Sequence, residues 1–194
     1  MRMFILVCGL FLSQNIFAQA SFAEVLVYDD TVYDHSKFIS YKDYPLLTWS
    51  DFQGKVKTEQ GFEAQTVYAM SYSLSTSSGK GKKQVKLKIA CYFNKEKSWN
   101  LGPNYTDDLL EHERLHFMIA VWYFAQFKQE LLTRNFPNTS VTQDIRNLYN
   151  KYSADCKKMQ SVYDEETNHS IQKDQQLLWE TRVKAELEKL KDYL

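Results

Sequence analysis

Glycine and proline are scarce in this chain, six and three in 194 residues, and neither sign of charge is in excess, with 24 Lys+Arg against 24 Asp+Glu. That scarcity, beside 44% apolar and 15% aromatic residues, excludes a disordered chain and leaves enough apolar side chains for one sizeable core. The even balance removes the electrostatic footprint that nucleic acid or an anionic membrane surface requires, so neither is an expected partner. Internal repeats and low-complexity tracts are missing too, and no apolar run reaches the ~20 residues of a membrane span.

The apolar run from Phe4 to Leu12 follows a short positive start, Met1-Arg2-Met3, and precedes the small residues of Ala18-Gln19-Ala20. This is the pattern of a secretory signal peptide over residues 1–20, cleaved before Ser21. It predicts a secreted or periplasmic protein with a single domain over residues 21–194. Two cysteines then remain. Cys91 falls on the apolar face of Val85, Leu87, Ile89 and Phe93, and Cys156 falls at helical spacing with Leu148, Tyr152 and Met159. Two inward thiols in an oxidising compartment are candidates for one disulfide between sheet and helix; unconnected buried thiols are the alternative.

Along the mature chain, strand patterns give way to helical ones. Glu24 to Tyr28 reads as a strand and Leu46 to Phe52 as a short extended piece. Tyr68, Met70, Tyr72 and Leu74 alternate ahead of a turn at Ser77 to Gly81, so they pair as a hairpin with the strand from Val85 to Phe93; the lysines of that strand read as a solvated edge. Thr106, with Asp107 and Asp108 behind it, predicts a helix start. Apolar spacing then continues through Ile119, Tyr123, Phe127 and Leu131 until Asn135 and Pro137 stop it. Ser140 with Gln143 resembles a capping box opening a second helix through Ile145, Leu148, Tyr152, Cys156 and Met159. A polar break from Tyr163 to Ser170 precedes a third helix marked by Leu178, Trp179, Val183, Leu187, Leu190 and Leu194. The expected class is α+β, a mainly antiparallel sheet packed on helices.

Inside the first helix stands His112-Glu113-Arg114-Leu115-His116. Positions four apart share a helix face, so both imidazoles can reach one metal ion, while Glu113 sits about a hundred degrees round, placed to touch a water without being a ligand. Two inward histidines can instead be core residues hydrogen-bonded to tyrosine. A carboxylate beside an apolar face weighs against that, because it needs a cation or hydrogen bonds to offset desolvation. A catalytic zinc site takes three protein ligands and leaves a vertex for water. The third candidate is His169, in the polar break; Asp164, Glu165 and Glu166 are its competitors.

The stretches Leu109 to Phe117, Leu47 to Gly54, Lys97-Ser98-Trp99 and Tyr163 to His169 together resemble a bacterial predicted secreted zinc-dependent protease family, a domain of unknown function. The resemblance implies a zincin-like fold around the HExxH helix, Zn2+ as cofactor and His169 as third ligand through the tyrosine-aspartate, threonine, histidine pattern at Tyr163, Asp164, Thr167 and His169. It also implies a bridge between Cys91 and Cys156. Met118, Val121 and Ser170 depart from it, standing where many members carry aspartate, glutamate and glycine. The expected activity is peptide hydrolysis by a zinc-activated water with Glu113 as general base; Tyr163 is the nearest phenol for the oxyanion, with Tyr68 and Tyr72 also free to serve, and Asp164 is placed to orient a histidine. The competing expectation is a non-catalytic exported binding protein with a structural or vestigial metal site.

Overall fold

The computed structural model describes residues 21–30, 34–57, 63–79, 81–102 and 106–194; the expected signal peptide lies outside the described residues. Val85, Leu87, Ile89, Cys91 and Phe93 are at most 2% exposed, and their alternation sets the inner face of the strand β5 (Lys82–Asn94). Antiparallel to it runs β4 (Tyr68–Gly79), with Tyr68 opposite Phe93 and Gly79 opposite Lys82. Gly81 has a φ of 77° at the reversal, a conformation glycine adopts without a Cβ clash. The other edge of β5 pairs in parallel with β1 (Glu24–Asp29) and then antiparallel with β2 (Phe38–Ser40). β5 is therefore bordered on both sides, so Lys86 and Lys88 lie on the outer face of an inner strand rather than on the expected edge. Strands β3 (Ala64–Gln65) and β6 (Trp99–Asn100) form a separate antiparallel pair.

Three helices complete a mixed α+β chain. In α1 (Asp107–Thr133) the Thr106 hydroxyl accepts from the Leu109 N–H at 3.1 Å, the cap that the sequence predicts. This helix touches β1, β4 and β5 as well as both later helices, and every residue from Phe117 to Ala125 is buried. Helix α2 (Val141–Thr167) starts where expected but by a different device: the Ser140 hydroxyl bonds Asp144 at 2.6 Å, while Gln143 bonds Asn147. It also runs on through most of the expected break, because Tyr163 and Thr167 extend its buried stripe, and ends on Asn168 in the left-handed conformation. In α3 (Lys173–Lys189), Trp179, Val183 and Leu187 face inward, but Leu178 is exposed and Gln176 takes an interior place. Among the described residues no helix is long and apolar enough to cross a membrane.

Two further expectations are corrected. Leu46 to Phe52 is not extended: 3-10 turns cover Tyr41–Leu46 and Trp49–Asp51, because the Asp51 carboxylate accepts from both the backbone N–H and the hydroxyl of Thr48, each at 2.9 Å. Cys91 and Cys156 do face the core, but both are free thiols, so the expected disulfide is not formed. The Cys156 sulfur instead lies 3.4 Å from the Tyr68 hydroxyl and 3.9 Å from Gln160 Nε2. Burial pushes both thiols up, which keeps them protonated.

After the second 3-10 turn the chain docks on the loop before β6. Gln53 N–H donates to Lys95 O at 2.9 Å and Gly54 N–H to Ser98 O at 2.7 Å. A Cβ on Gly54 would lie 2.7 to 2.9 Å from backbone atoms of Glu96, Lys97 and Ser98, none of which is a flexible tip. Gly54→Ala should therefore cost about 1–3 kcal/mol of stability, read as a lower urea midpoint. A second joint lies at the end of β1, where Asp29 meets Lys42 at 2.8 Å and, from α1, Lys128 at 2.9 Å. Burial raises the Asp29 carboxyl, but the two ammonium groups outweigh it and leave its pKa below the ordinary 3.8. A carboxyl depressed in the folded state stabilises above its unfolded pKa and stops doing so as pH falls through the folded one. Asp29→Asn should thus cost about 1–3 kcal/mol at neutral pH, and denaturation curves at falling pH should show the two proteins converging below pH 3.8.

Candidate metal centre

One helical turn separates His112 and His116 on α1, and it brings their Nε2 atoms to 3.2 Å with the rings nearly perpendicular. From α2, the Asp164 carboxylate oxygen Oδ1 lies 3.3 Å from His112 Nε2 and 3.0 Å from His116 Nε2. His169 arrives by a different route. Asn168, His169 and Ser170 have φ values of 45°, 52° and 76°, three successive left-handed residues that reverse the chain at the end of α2. None is glycine, so each carries on the order of 1 kcal/mol of strain. The reversal lets the His169 N–H donate to Asp164 O at 3.1 Å and sets Nδ1 3.5 Å from Asp164 Oδ1. One ligand atom each from His112, Asp164 and His169 lies within 4.8 Å of the other two.

Asp164 and His169, alternatives in the sequence, thus gather at the same place, with His116 joined to the group through His112 and Asp164. The remaining competitors do not: Glu165 is exposed and Glu166 accepts from the Trp179 indole at 2.7 Å. Glu113 is 4% exposed, beside the pair, and its Oε2 has no hydrogen-bond partner among the described residues. The Glu113 backbone carbonyl takes the Thr66 hydroxyl at 2.9 Å, which ties the end of β3 to this turn of α1. A cavity of about 720 Å³ opens here, lined by His112, Glu113, His116, Asp164, His169 and Tyr68 among others.

Behind the imidazoles are residues that sequence reasoning missed. Gln160 Oε1 faces His116 Nδ1 at 2.6 Å, and Gln176 Oε1 faces His112 Nδ1 at 3.1 Å. A signal for both was present: each lies on its helix's buried stripe, Gln160 four residues after Cys156 and Gln176 three before Trp179. Tyr163, expected as an oxyanion phenol, stands elsewhere. It is wholly buried, stacks on His112 at 4.7 Å, and donates its hydroxyl to Gln176 Oε1 at 2.7 Å, out of the cavity lining. Among the described residues, Tyr68 is the phenol that lines the cavity. Met118 and Val121 are buried among apolar neighbours, so α1 itself offers these histidines no acidic partner at those positions.

The electrostatics follow from this packing. Burial raises the Asp164 carboxyl, but hydrogen bonds from His112 and His116 more than reverse that and hold it well below the usual carboxylate range. For His116, burial pushes the pKa down, while Asp164, Glu113 and Gln160 push it up and prevail. Desolvation raises Tyr163 far above an ordinary phenol, so it acts as a donor.

These donors fit zinc. Two nitrogens bound tetrahedrally at 2.0–2.1 Å lie about 3.3 Å apart, against the 3.2 Å between the two Nε2 atoms. The unpartnered buried oxygen of Glu113 is the further observation, since a buried carboxylate without a donor is costly unless a cation or a water polarised by one stands beside it.

A mixed α+β chain with an imidazole and carboxylate cluster open to a cavity is thus the class defined here. The chain belongs to the family described as bacterial protein of unknown function (DUF922), which matches residues 50–170. The matched span holds His112, Glu113, His116, Gln160, Asp164 and His169, but not Gln176. No curated protein and no solved structure matches the chain. The position of Tyr163 yields a prediction: Tyr163→Phe should lower stability by about 1–3 kcal/mol by removing a buried donor, yet leave metal stoichiometry unchanged. Urea denaturation and metal analysis measure the two.

Proposed function

We propose that this protein is an exported, zincin-like metallopeptidase that binds zinc through His112, His116 and His169 and hydrolyses peptide bonds with Glu113 as general base. The observation that carries the reading is Glu113 itself, a buried carboxylate on the cavity that His112, His116 and His169 also line, with one oxygen unpartnered among the described residues. Export rests on the signal-peptide pattern of residues 1–20. Zinc, when bound, supplies the Lewis acidity that lowers a water's pKa and polarises a carbonyl.

Glu113, which lines the cavity, would take the proton from the attacking water and pass it to the departing amine. Asp164 holds the imidazoles together through the 3.0 to 3.5 Å contacts of its Oδ1. Tyr68 lines the cavity, with its hydroxyl against the Cys156 sulfur at 3.4 Å.

One observation favours a second reading. Asp164 Oδ1 contacts all three imidazoles, so it is positioned to occupy the fourth vertex itself, which would close the site and make it structural. Glu113→Gln separates the two. In the enzyme this variant keeps one zinc per chain and loses peptidase activity by ~10²–10⁴-fold; turnover equal to the parent's rejects the general-base role. In the cobalt-substituted protein, a hydroxamate should shift the visible spectrum, and a spectrum indifferent to it would favour the closed site.

A further inference from the structure

We infer that Gln160 and Gln176 are a pair of neutral positioning residues that lock both helical imidazoles with Nε2 toward the cavity and set how tightly the site holds its metal. This rests on the zinc reading above. A histidine that gives its Nε2 lone pair to a metal must carry its proton on Nδ1, and that N–H needs an acceptor. Both rings have one, from two different helices: Gln160 Oε1 on α2 at 2.6 Å and Gln176 Oε1 on α3 at 3.1 Å.

The other contacts of each amide agree with this orientation. Gln160 spends its Nε2 as a donor to His116 O at 2.9 Å, so the carbonyl is the end left for the ring. Gln176 receives the Tyr163 hydroxyl on the same oxygen that faces His112. A flipped amide would set an N–H against a ring nitrogen that must itself bear a proton. The cost of the observed orientation is visible: Gln176 Nε2 is buried without a hydrogen-bond partner among the described residues. An orphaned buried donor is destabilising, and what offsets it here is an oxygen shared by a phenol and an imidazole.

Neutral acceptors have a chemical consequence. A carboxylate at Nδ1 pulls on the proton, makes the imidazole a stronger base and tightens metal binding. An amide fixes the same tautomer with less pull. The metal is held less firmly and retains more of its charge for the substrate carbonyl. Asp164 meets both rings at Nε2, whereas the Nδ1 side of each faces an amide, so the amides set this balance at Nδ1.

The test is zinc affinity of the mature full-length chain by chelator competition, in the parent and in Gln160→Ala, Gln176→Ala, Gln160→Glu and Gln176→Glu. The alanine variants should bind zinc ~10–100-fold more weakly. The glutamate variants keep size and an acceptor oxygen, guard against misfolding, and should bind more tightly than the parent. Nitrogen-15 spectra of the zinc-loaded parent should show both rings protonated at Nδ1. Zinc bound by the parent with unchanged affinity in all four variants overturns the positioning role and leaves the metal site standing. A parent that binds no zinc removes the site, and this inference with it.

Discussion

The structure turns on a helix that is buried nearly all the way round and yet carries two imidazoles and a carboxylate at its inner end. A helix packed against a sheet and two other helices has no wet face on which to place polar groups. His112 and Glu113, 2% and 4% exposed, therefore need partners brought by the rest of the chain, because an unpaired buried charge costs several kcal/mol. Much of the architecture around α1 can be understood as meeting that demand.

Each neighbouring element contributes one answer. Just after β3, the Thr66 hydroxyl donates to the Glu113 backbone carbonyl at 2.9 Å. α2 presents Cys156, Gln160, Tyr163 and Asp164 on one face, so that the amide and the carboxylate reach opposite sides of the His116 ring. α3 supplies Gln176, and Tyr163 packs between that amide and His112. The strained turn after α2 adds His169 at the cavity. Beside the pair, Glu113 Oε2 and Gln176 Nε2 are left without a hydrogen-bond partner among the described residues, and Glu113 lines the cavity.

Much of this was legible in the chain. The inner face of β5, the hairpin, the Thr106 cap and the pairing of His112 with His116 follow from period-two and period-3.6 patterns and from capping chemistry, which are local. Errors arose where a local signal met a stronger one. Thr48 and Asp51 curl a segment whose apolar content suggests a strand. Tyr163 and Thr167 carry α2 through a polar stretch because their own side chains are buried. Leu178 points outward and Gln176 inward, since α3 is turned to present an amide to His112. The two thiols face the core as their spacing requires, yet bond to nothing covalently.

The sequence by itself determined the hairpin, the start of α1 and the helical pair, because periodicity, capping and i,i+4 geometry act within one segment of chain. It also narrowed the third donor to a few residues after Tyr163. Only the tertiary structure decided that Asp164 and His169 come together at the pair, that Tyr163 supports rather than faces the cavity, and that two glutamines stand behind the rings. These depend on how α1, α2 and α3 are rotated against one another. That rotation is set by the packing of the whole core, and no short stretch of sequence encodes it.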